Sequence, residues 1–191
     1  MIYPLPAFGS IEYFSHLAQE TGTAQFATNE VVDRKNKRNR YNTVDNKGIK
    51  LNSIPICKPR DRKPLSEVHI ANEEEWQRDH WRSLVTNYNN SPFFEFYDYK
   101  FELLFNKKFN SLLDFNRTAL EITLAILKIN VQIVYMEKPH DAIELKKANS
   151  FKEYQQVFAL PFQENTSILD LIFNLGPDAK DYLAAVAFGS E

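Results

Sequence analysis

The segment from Trp76 to Tyr97, WQRDHWRSLVTNYNNSPFFEFY, constrains the fold most, because it crowds bulky rings around one short Ser-Pro break. Trp76, His80, Leu84 and Tyr88 recur at four-residue spacing, which predicts that they share one face of a helix. Rings of this size bury large areas and predict a substantial core. The imidazole among them is either a hydrogen-bonded core residue or a proton-transferring group in a pocket, and both interpretations remain open.

Length and composition indicate one globular domain over residues 1–191, with an aromatic share of 14%. The one cysteine, Cys57, excludes an intramolecular disulfide and a cysteine-based zinc cage, and its place after Ile54-Pro55-Ile56 predicts a buried thiol at a strand end. The N-terminus does not resemble a signal peptide, and no apolar run approaches the roughly 18–20 residues of a membrane span. We therefore expect a cytoplasmic protein without a membrane span.

Positive charge is concentrated in residues 34–63, which hold eleven Lys and Arg residues and only two Asp, whereas the whole chain carries a net charge of −2. Such asymmetry indicates an anionic partner, although a solvated loop is the competing interpretation. Nucleic acid is not the expected partner, because the basic stretch is interleaved only with Tyr41 and the rest of the chain is acidic.

Periodicity and turn residues predict a mixed α/β fold, with a small N-terminal sheet and a helical C-terminal half packed on it. The predicted strands are an extended start at residues 2–6, residues 23–29, a hairpin of residues 41–44 and 49–56, residues 66–70 and residues 132–136. The predicted helices begin after Ser10, after a capping box at Asn72–Glu75 and after Ser91, cover residues 112–129, and end with a pair over residues 168–175 and 177–188. Residues 151–154 are assigned to a further short helix.

Familiar catalytic and cofactor signatures are absent from the sequence, including GxGxxG, the Walker loop, HExxH and GxSxG. The four histidines are scattered, so the sequence indicates neither a metal site nor a cofactor. The chemistry of the chain has to be inferred from its polar side chains and from its resemblance to other proteins.

The order of motifs resembles the WbqC-like family, which is found in bacterial surface-polysaccharide gene clusters. The blocks that carry the resemblance are residues 4–14 (PLPAFGSIEYF), Asn39-Arg40, Ile54-Pro55-Ile56, Trp76-x-x-x-His80, Tyr88, residues 92–94 (PFF), residues 113–116 (LDFN) and residues 167–176 (SILDLIFNLG). The family often opens with His-Gln-Pro-Asn-Tyr, and this chain has Ile2-Tyr3-Pro4-Leu5-Pro6 in its place. The resemblance implies a role in glycan assembly.

Arg38, Asn39 and Arg40 are the candidate anion-binding residues, because guanidinium groups grip phosphate or carboxylate bidentately and the amide adds neutral donors. The expected ligand is an anionic small-molecule donor, either a nucleotide-sugar or an acyl carrier. The alternative is a solvated loop, or salt bridges to Glu73–Glu75.

His80 is the candidate general base, since a neutral imidazole can take a proton from a sugar hydroxyl or amine. Trp76 and Tyr88 on the same stripe are candidate walls of its pocket. A hydrogen-bonded core histidine beneath Trp76 is an equally weighted alternative.

Three further polar residues are assigned to substrate binding: Asp114, Asn116 and Asn174. Helix capping explains one of the first two. Asn174 lies four residues after Asp170 in an apolar segment, and buried polar groups need partners, so we expect a network that joins these Asn and Asp side chains.

Two functions are compatible with these residues. The first is a transferase of surface-glycan biosynthesis that moves an acyl or aminoacyl group to an amino sugar. The second is a non-catalytic binding or scaffold module for an anionic partner, in which the aromatic stripe is only core.

Overall fold

The computed structural model describes residues 1–32, 38–57, 63–137, 144–158 and 161–189. Seven strands are present in this part of the chain: β1 (Ile2–Tyr3), β2 (Thr23–Ala27), β3 (Val31–Val32), β4 (Arg40–Asp45), β5 (Gly48–Ser53), β6 (Lys63–Pro64) and β7 (Gln132–Met136). Its six α-helices are α1 (Ile11–Ala18), α2 (Trp76–Tyr88), α3 (Phe94–Asn106), α4 (Leu112–Leu127), α5 (Ile168–Leu175) and α6 (Ala179–Ala185). The predicted mixed α/β class is confirmed. Much of the basic segment, and His140, lie outside the described residues.

A parallel three-stranded sheet in the order β1-β2-β7 forms the first layer. Strand β1 aligns Ile2 with Gln25, and β2 aligns Thr23 with Gln132. Parallel neighbours need a crossover connection, which α1 supplies between β1 and β2. The predicted strand–helix–strand opening is confirmed, and the C-terminal half of the chain contributes the third strand.

The predicted hairpin is formed by β4 and β5, which pair antiparallel from Arg40 opposite Ser53 to Asp45 opposite Gly48. Its turn is closed by the Asp45 carboxylate, which accepts a hydrogen bond of 2.8 Å from the Lys47 N–H. Gly48 has a φ of +111°, a conformation that glycine adopts without a Cβ clash. Local turn chemistry therefore fixes the register of the strand that carries Arg40.

One aromatic core joins the hairpin to the helices. The Phe173 ring of α5 lies 5.2 Å from Tyr88, 4.9 Å from Phe94 and 5.6 Å from Phe101, measured between ring centroids. Trp76, Leu84 and Tyr88 are buried on one face of α2, as their spacing predicts, and His80 on that face is half-buried.

Two helix starts differ from the prediction. Helix α2 begins at Trp76 without a side-chain cap, since the Asn72 side-chain oxygen accepts instead from the Trp76 indole N–H at 3.4 Å and its amide donates to the Phe109 carbonyl at 2.8 Å. Helix α3 begins at Phe94 rather than after Ser91, whose buried hydroxyl has no hydrogen-bond partner among the described residues.

Three other local predictions are wrong. Residues 65–67 form a 3-10 turn, and the predicted strand at 66–70 is reduced to single bridges from His69 and Ile70. Residues 151–154 have no regular secondary structure rather than a helix, and they contact α6, where the Tyr182 hydroxyl donates to the Lys152 carbonyl at 2.6 Å. Cys57 is exposed rather than buried.

Candidate functional site

A cleft of about 340 Å³ opens where the N-terminal segment, β4 and the starts of α1 and α5 meet. We call it the Arg40 cleft. Its apolar lining residues are Pro4, Pro6, Phe8, Leu51 and Leu145, and its polar lining residues are Ser10, Tyr13, Arg38, Arg40, Tyr41, Asn42 and Ser167. Apolar walls with a few convergent polar groups are typical of small-molecule sites, and the volume is near the lower end of their range of about 300–1,000 Å³.

Two helix N-termini face each other across this cleft. Ser10 caps α1 by accepting from the Tyr13 N–H, and Ser167 caps α5 by accepting from the Leu169 N–H. The two serines also form a β-bridge, and the next N–H of each helix, on Ile11 and Ile168, donates to a carbonyl of the opposite segment. The first-turn amides are thus satisfied within the protein, so an anion in the cleft needs side-chain donors.

Arg40 is the available guanidinium in the cleft. Its Nε is buried and has no hydrogen-bond partner among the described residues. Arg38, by contrast, forms a bidentate ion pair with Glu30. Its Nε donates to Glu30 Oε2 at 2.7 Å and its Nη2 donates to Oε1 at 2.6 Å, and both side chains are less than 15% exposed. The partner of Arg38 is therefore Glu30, not Glu73–Glu75.

Asn39 and Asn116 hold the backbone that carries the two arginines. The Asn39 amide donates to the Ile54 carbonyl at 2.8 Å. The buried Asn116 amide donates to the Leu5 carbonyl at 2.9 Å and to the Arg38 carbonyl at 3.0 Å, which ties the N-terminal segment to the start of β4. These amide donors are already used within the protein, so both residues position the cleft wall.

His80 is separated from the Arg40 cleft by Tyr41. The imidazole packs at 5.2 Å from the Trp76 ring and its Nδ1 lies 2.9 Å from the Tyr41 hydroxyl. Burial raises the pKa of Tyr41, so the hydroxyl keeps its proton, and it donates to Nδ1 in the neutral imidazole tautomer whose proton is on Nε2. Burial, reinforced by the positive charge of Lys50, lowers the pKa of His80 to about 4. The imidazole is therefore neutral at pH 7 and reaches a ligand in the cleft only through Tyr41.

This depressed pKa predicts a pH dependence of stability. Between pH 6.5 and pH 4 the unfolded chain binds a proton at His80 that the folded chain does not, so the free energy of unfolding falls as the pH is lowered through this window. The loss expected from this group is about 3 kcal/mol. Urea denaturation of the wild type and of His80→Gln, which keeps an acceptor for Tyr41 but does not titrate, measures it. Equal pH slopes in the two proteins would contradict the prediction.

The other candidate residues lie apart from the cleft. Trp76 is buried against Phe115, with ring centroids 5.6 Å apart, and the Tyr88 hydroxyl accepts from the Val44 N–H at 2.9 Å. Asp114 is exposed in the first turn of α4, which is capped by Ser111. The amide of Asn174 donates to the Asp170 carbonyl at 2.8 Å.

Asp170 is the centre of a buried network that the sequence did not reveal. Its Oδ2 accepts from the Tyr154 hydroxyl and from the Gln156 amide, the latter at 2.8 Å. The hydroxyls of Tyr88 and Thr166 flank the carboxylate, yet Oδ1 falls outside hydrogen-bonding geometry with both. The expected network of Asn and Asp side chains is therefore wrong: the partners of Asp170 are a Tyr and a Gln from the irregular segment that precedes α5.

Within the described residues, no group of three or more His, Cys, Asp or Glu side chains converges as a metal site would require. In the same part of the chain, no helix is both long enough and apolar enough to cross a membrane.

The fold and the cleft define a mixed α/β protein with an arginine-lined cleft between two helix starts. The model of the WbqC-like protein family matches residues 10–144, and the chain belongs to that family. An uncharacterised protein of Mycobacterium tuberculosis, Rv1507c, is 23% identical over 188 aligned residues, which cover 76% of this chain and 80% of the relative. No solved structure matches the chain significantly.

Proposed function

We propose that the protein is a transferase of bacterial surface-glycan biosynthesis that binds an anionic donor in the Arg40 cleft and moves an acyl or aminoacyl group to an amino sugar. The observation that carries the proposal is the buried, unpartnered Nε of Arg40 among the described residues that line the cleft. Membership of the WbqC-like family supports a role in surface-glycan biosynthesis, since the family is found in bacterial surface-polysaccharide gene clusters.

An arginine in this state favours a ligand from outside the protein. A buried guanidinium nitrogen without a partner is costly, because this N–H has lost hydration and gained no hydrogen bond, although the rest of the half-buried Arg40 side chain reaches the cleft. Arg38, two residues earlier, has its charge matched by Glu30, whereas Arg40 is directed to a cleft. A phosphate or carboxylate oxygen would complete its hydrogen bonding and restore charge balance.

The rest of the cleft suits the body of such a donor. The prolines and the Phe8 ring offer an apolar wall for a nucleobase or a pantetheine-like chain, and the capping serines offer hydroxyl groups. The two helix N-termini add positive potential even though their N–H groups are satisfied. An acyl carrier as the donor, and a nucleotide-linked amino sugar as the acceptor, both carry the anionic group that Arg40 would bind.

In the proposed reaction, His80 is the base and Tyr41 is its link to the cleft. The acceptor nitrogen or oxygen would bond to the acyl carbon, and the bond from that carbon to the carrier would break. The acceptor's proton would pass to the Tyr41 oxygen as the Tyr41 proton moves to Nδ1 of His80, and His80 would return a proton by the same route to the leaving group of the carrier. The pKa of about 4 makes this imidazole a weak base, so the step needs an acceptor group that is already acidified by its attack on the donor.

One observation favours the second function, a non-catalytic module for an anionic partner. Among the described residues that line the Arg40 cleft there is neither a carboxylate nor an imidazole, so no strong proton acceptor faces the cleft directly. Under this function the Tyr41–His80 pair is a core hydrogen bond and the cleft only binds.

A thermal-shift screen with nucleotides, nucleotide-sugars, coenzyme A and acyl-coenzyme A tests ligand binding. A ligand at 100 times its dissociation constant stabilises the folded state by about 2.7 kcal/mol, which is readily measured. We expect one ligand class to raise the melting temperature of the wild type and of Arg78→Ala, a surface arginine of α2, but not that of Arg40→Ala. Absence of any shift, or an equal shift in Arg40→Ala, would contradict the proposal.

A transfer assay with the ligand so identified separates the two functions. A transferase would turn over an amino-sugar acceptor, and Tyr41→Phe would lower kcat with little change in ligand affinity, because the ring that lines the cleft is kept and the hydroxyl is lost. Binding without turnover by the wild type would support the non-catalytic module.

A further inference from the structure

The outer face of α3 carries an exposed apolar stripe. Phe96, Tyr99 and Leu103 are 65%, 55% and 68% exposed, and their spacing of three and four residues places them on one side of the helix. The opposite side of α3 is filled by Phe94, Phe101, Leu104 and Phe105, which are buried in the core. An aligned set of large exposed apolar side chains marks an interaction surface, whereas scattered single ones are ordinary.

Charges of opposite sign flank this stripe on its two sides. Glu95 and Glu102 each precede a stripe residue, Lys100 follows Tyr99, and Lys107 lies one turn further on, at the end of the helix. None of the four forms an ion pair with another described residue. One flank of the stripe is therefore acidic and the other is basic. Lys100 and Lys107 lie over the rings of Tyr99 and Phe109, at 5.9 and 4.9 Å from the ring centroids, and neither has a carboxylate partner among the described residues.

This arrangement is the heptad pattern of a parallel two-stranded coiled coil. Phe96 and Leu103 occupy the a positions and Tyr99 the d position, Glu95 and Glu102 occupy g, and Lys100 and Lys107 occupy e. In a parallel pair, each g residue faces the e residue that follows it by five positions on the other helix. Glu95 would then face the partner's Lys100, and Glu102 the partner's Lys107.

We propose that α3 is the interface of a homodimer, in which it pairs parallel and in register with α3 of a second copy of this chain. The flanking charges favour a second copy of this chain as the partner and a parallel orientation of the two α3 helices. A second copy supplies the complementary flank without any other protein, and an antiparallel pair would bring the acidic flank against the acidic flank. The two-fold axis would run along α3, with Phe96, Tyr99 and Leu103 each packed against its own counterpart.

Sedimentation velocity over a concentration series tests the interface. We expect a dimer for the wild type, and a dissociation constant at least about tenfold higher for Leu103→Asp, since a carboxylate would be buried in the apolar seam. Ile49→Asp is the matched control, because Ile49 is 51% exposed on β5 and does not line the Arg40 cleft, and it should dimerise like the wild type. A monomeric wild type, or an equal effect of the control, would overturn the proposal.

Charge reversal and cross-linking test the orientation. Glu102→Lys and Lys107→Glu should each weaken the dimer, and the double variant should restore it, because the reversed pair is again complementary across the two-fold axis. In a Cys57→Ser background, both Phe96→Cys and Leu103→Cys should form intermolecular disulfides with oxidised glutathione, since only a parallel pair places both residues next to their counterparts. Cross-linking at one position alone, or no rescue by the double variant, would overturn the parallel pairing.

Discussion

Replacement of Gly176 by alanine is expected to lower the free energy of unfolding by about 2–5 kcal/mol. Gly176 ends α5 with a φ of +52° and a ψ of −121°, a conformation that is costly for any residue with a Cβ. An added Cβ would also lie 2.4 Å from two carbons of the Phe93 ring. The Phe93 N–H donates to the Phe173 carbonyl at 3.0 Å, which holds the backbone of Phe93 in place, so the ring can yield only by changing its rotamer. Urea denaturation measures the loss.

Two further variants separate backbone strain from the steric clash at Gly176. Gly22→Ala introduces a Cβ at a φ of +132° with no other atom within 4 Å, so it should show strain alone and a smaller loss. Phe93→Ala combined with Gly176→Ala should recover the steric part, seen as a favourable coupling in a double-mutant cycle. Equal losses for the two glycine variants would argue against the close approach of Phe93.

Loss of the Asp170 side chain should be comparably severe. Asp170→Ala would leave the Tyr154 hydroxyl and the Gln156 amide without their buried acceptor, at about 1–3 kcal/mol for each donor. The total loss in unfolding free energy is therefore expected to be about 2–5 kcal/mol at pH 7. Gln156 also bonds to both the N–H and the carbonyl of Gln163, so the damage should spread to the segment that precedes α5.

The matched control for this variant is Asp170→Asn, which keeps one oxygen acceptor and should lose less. Burial raises the pKa of Asp170, so above the unfolded pKa of 3.8 the folded chain holds this proton more tightly than the unfolded chain. The contribution of Asp170 to the free energy of unfolding therefore falls as pH rises through the folded pKa. Asp170→Asn should remove that slope. An unchanged slope, or an alanine variant as stable as wild type, would contradict this role.

Sequence patterns predicted the elements whose signals are local. Ser10 and Ser167 cap their helices as expected, the hairpin turn between Asp45 and Gly48 was recognisable from its Asp, Asn and Gly residues, and β7 lies within the predicted limits at 132–136. Asn72 and Ser91 carried equally good capping signals, but the Asn72 side-chain oxygen accepts from the Trp76 indole N–H instead, and the Ser91 hydroxyl has no partner among the described residues. Whether a residue with a capping signal caps its helix thus depends on the contacts that it makes in the folded chain, and the neighbouring sequence does not specify those contacts.

In the candidate site, too, the features set by tertiary contacts could not be predicted from the sequence. Arg38 and Arg40 are indistinguishable in sequence, and only the fold brings Glu30 to the first and leaves the second facing a cleft. Tyr41, the link between His80 and the cleft, had no pattern of its own beyond its place after Arg40. The sequence predicted that Asp170 lies in the first turn of a helix. Its hydrogen-bond partners, Tyr154 and Gln156, lie in a segment whose sequence has no periodicity. Roles set by distant contacts were beyond the sequence.

The crossed contacts between the starts of α1 and α5 have a consequence for protein synthesis. The Ile11 N–H needs the Thr166 carbonyl, the Glu12 N–H needs the Asn165 side chain, and the Ile168 N–H needs the Gly9 carbonyl. A ribosome makes the N-terminal wall of the Arg40 cleft long before these partners exist, so the nascent chain carries an incomplete cleft until residues 165–168 have emerged. If the cleft binds the proposed ligand, we expect that binding only after α5 has been translated and has completed the wall formed by the residues around Ser10.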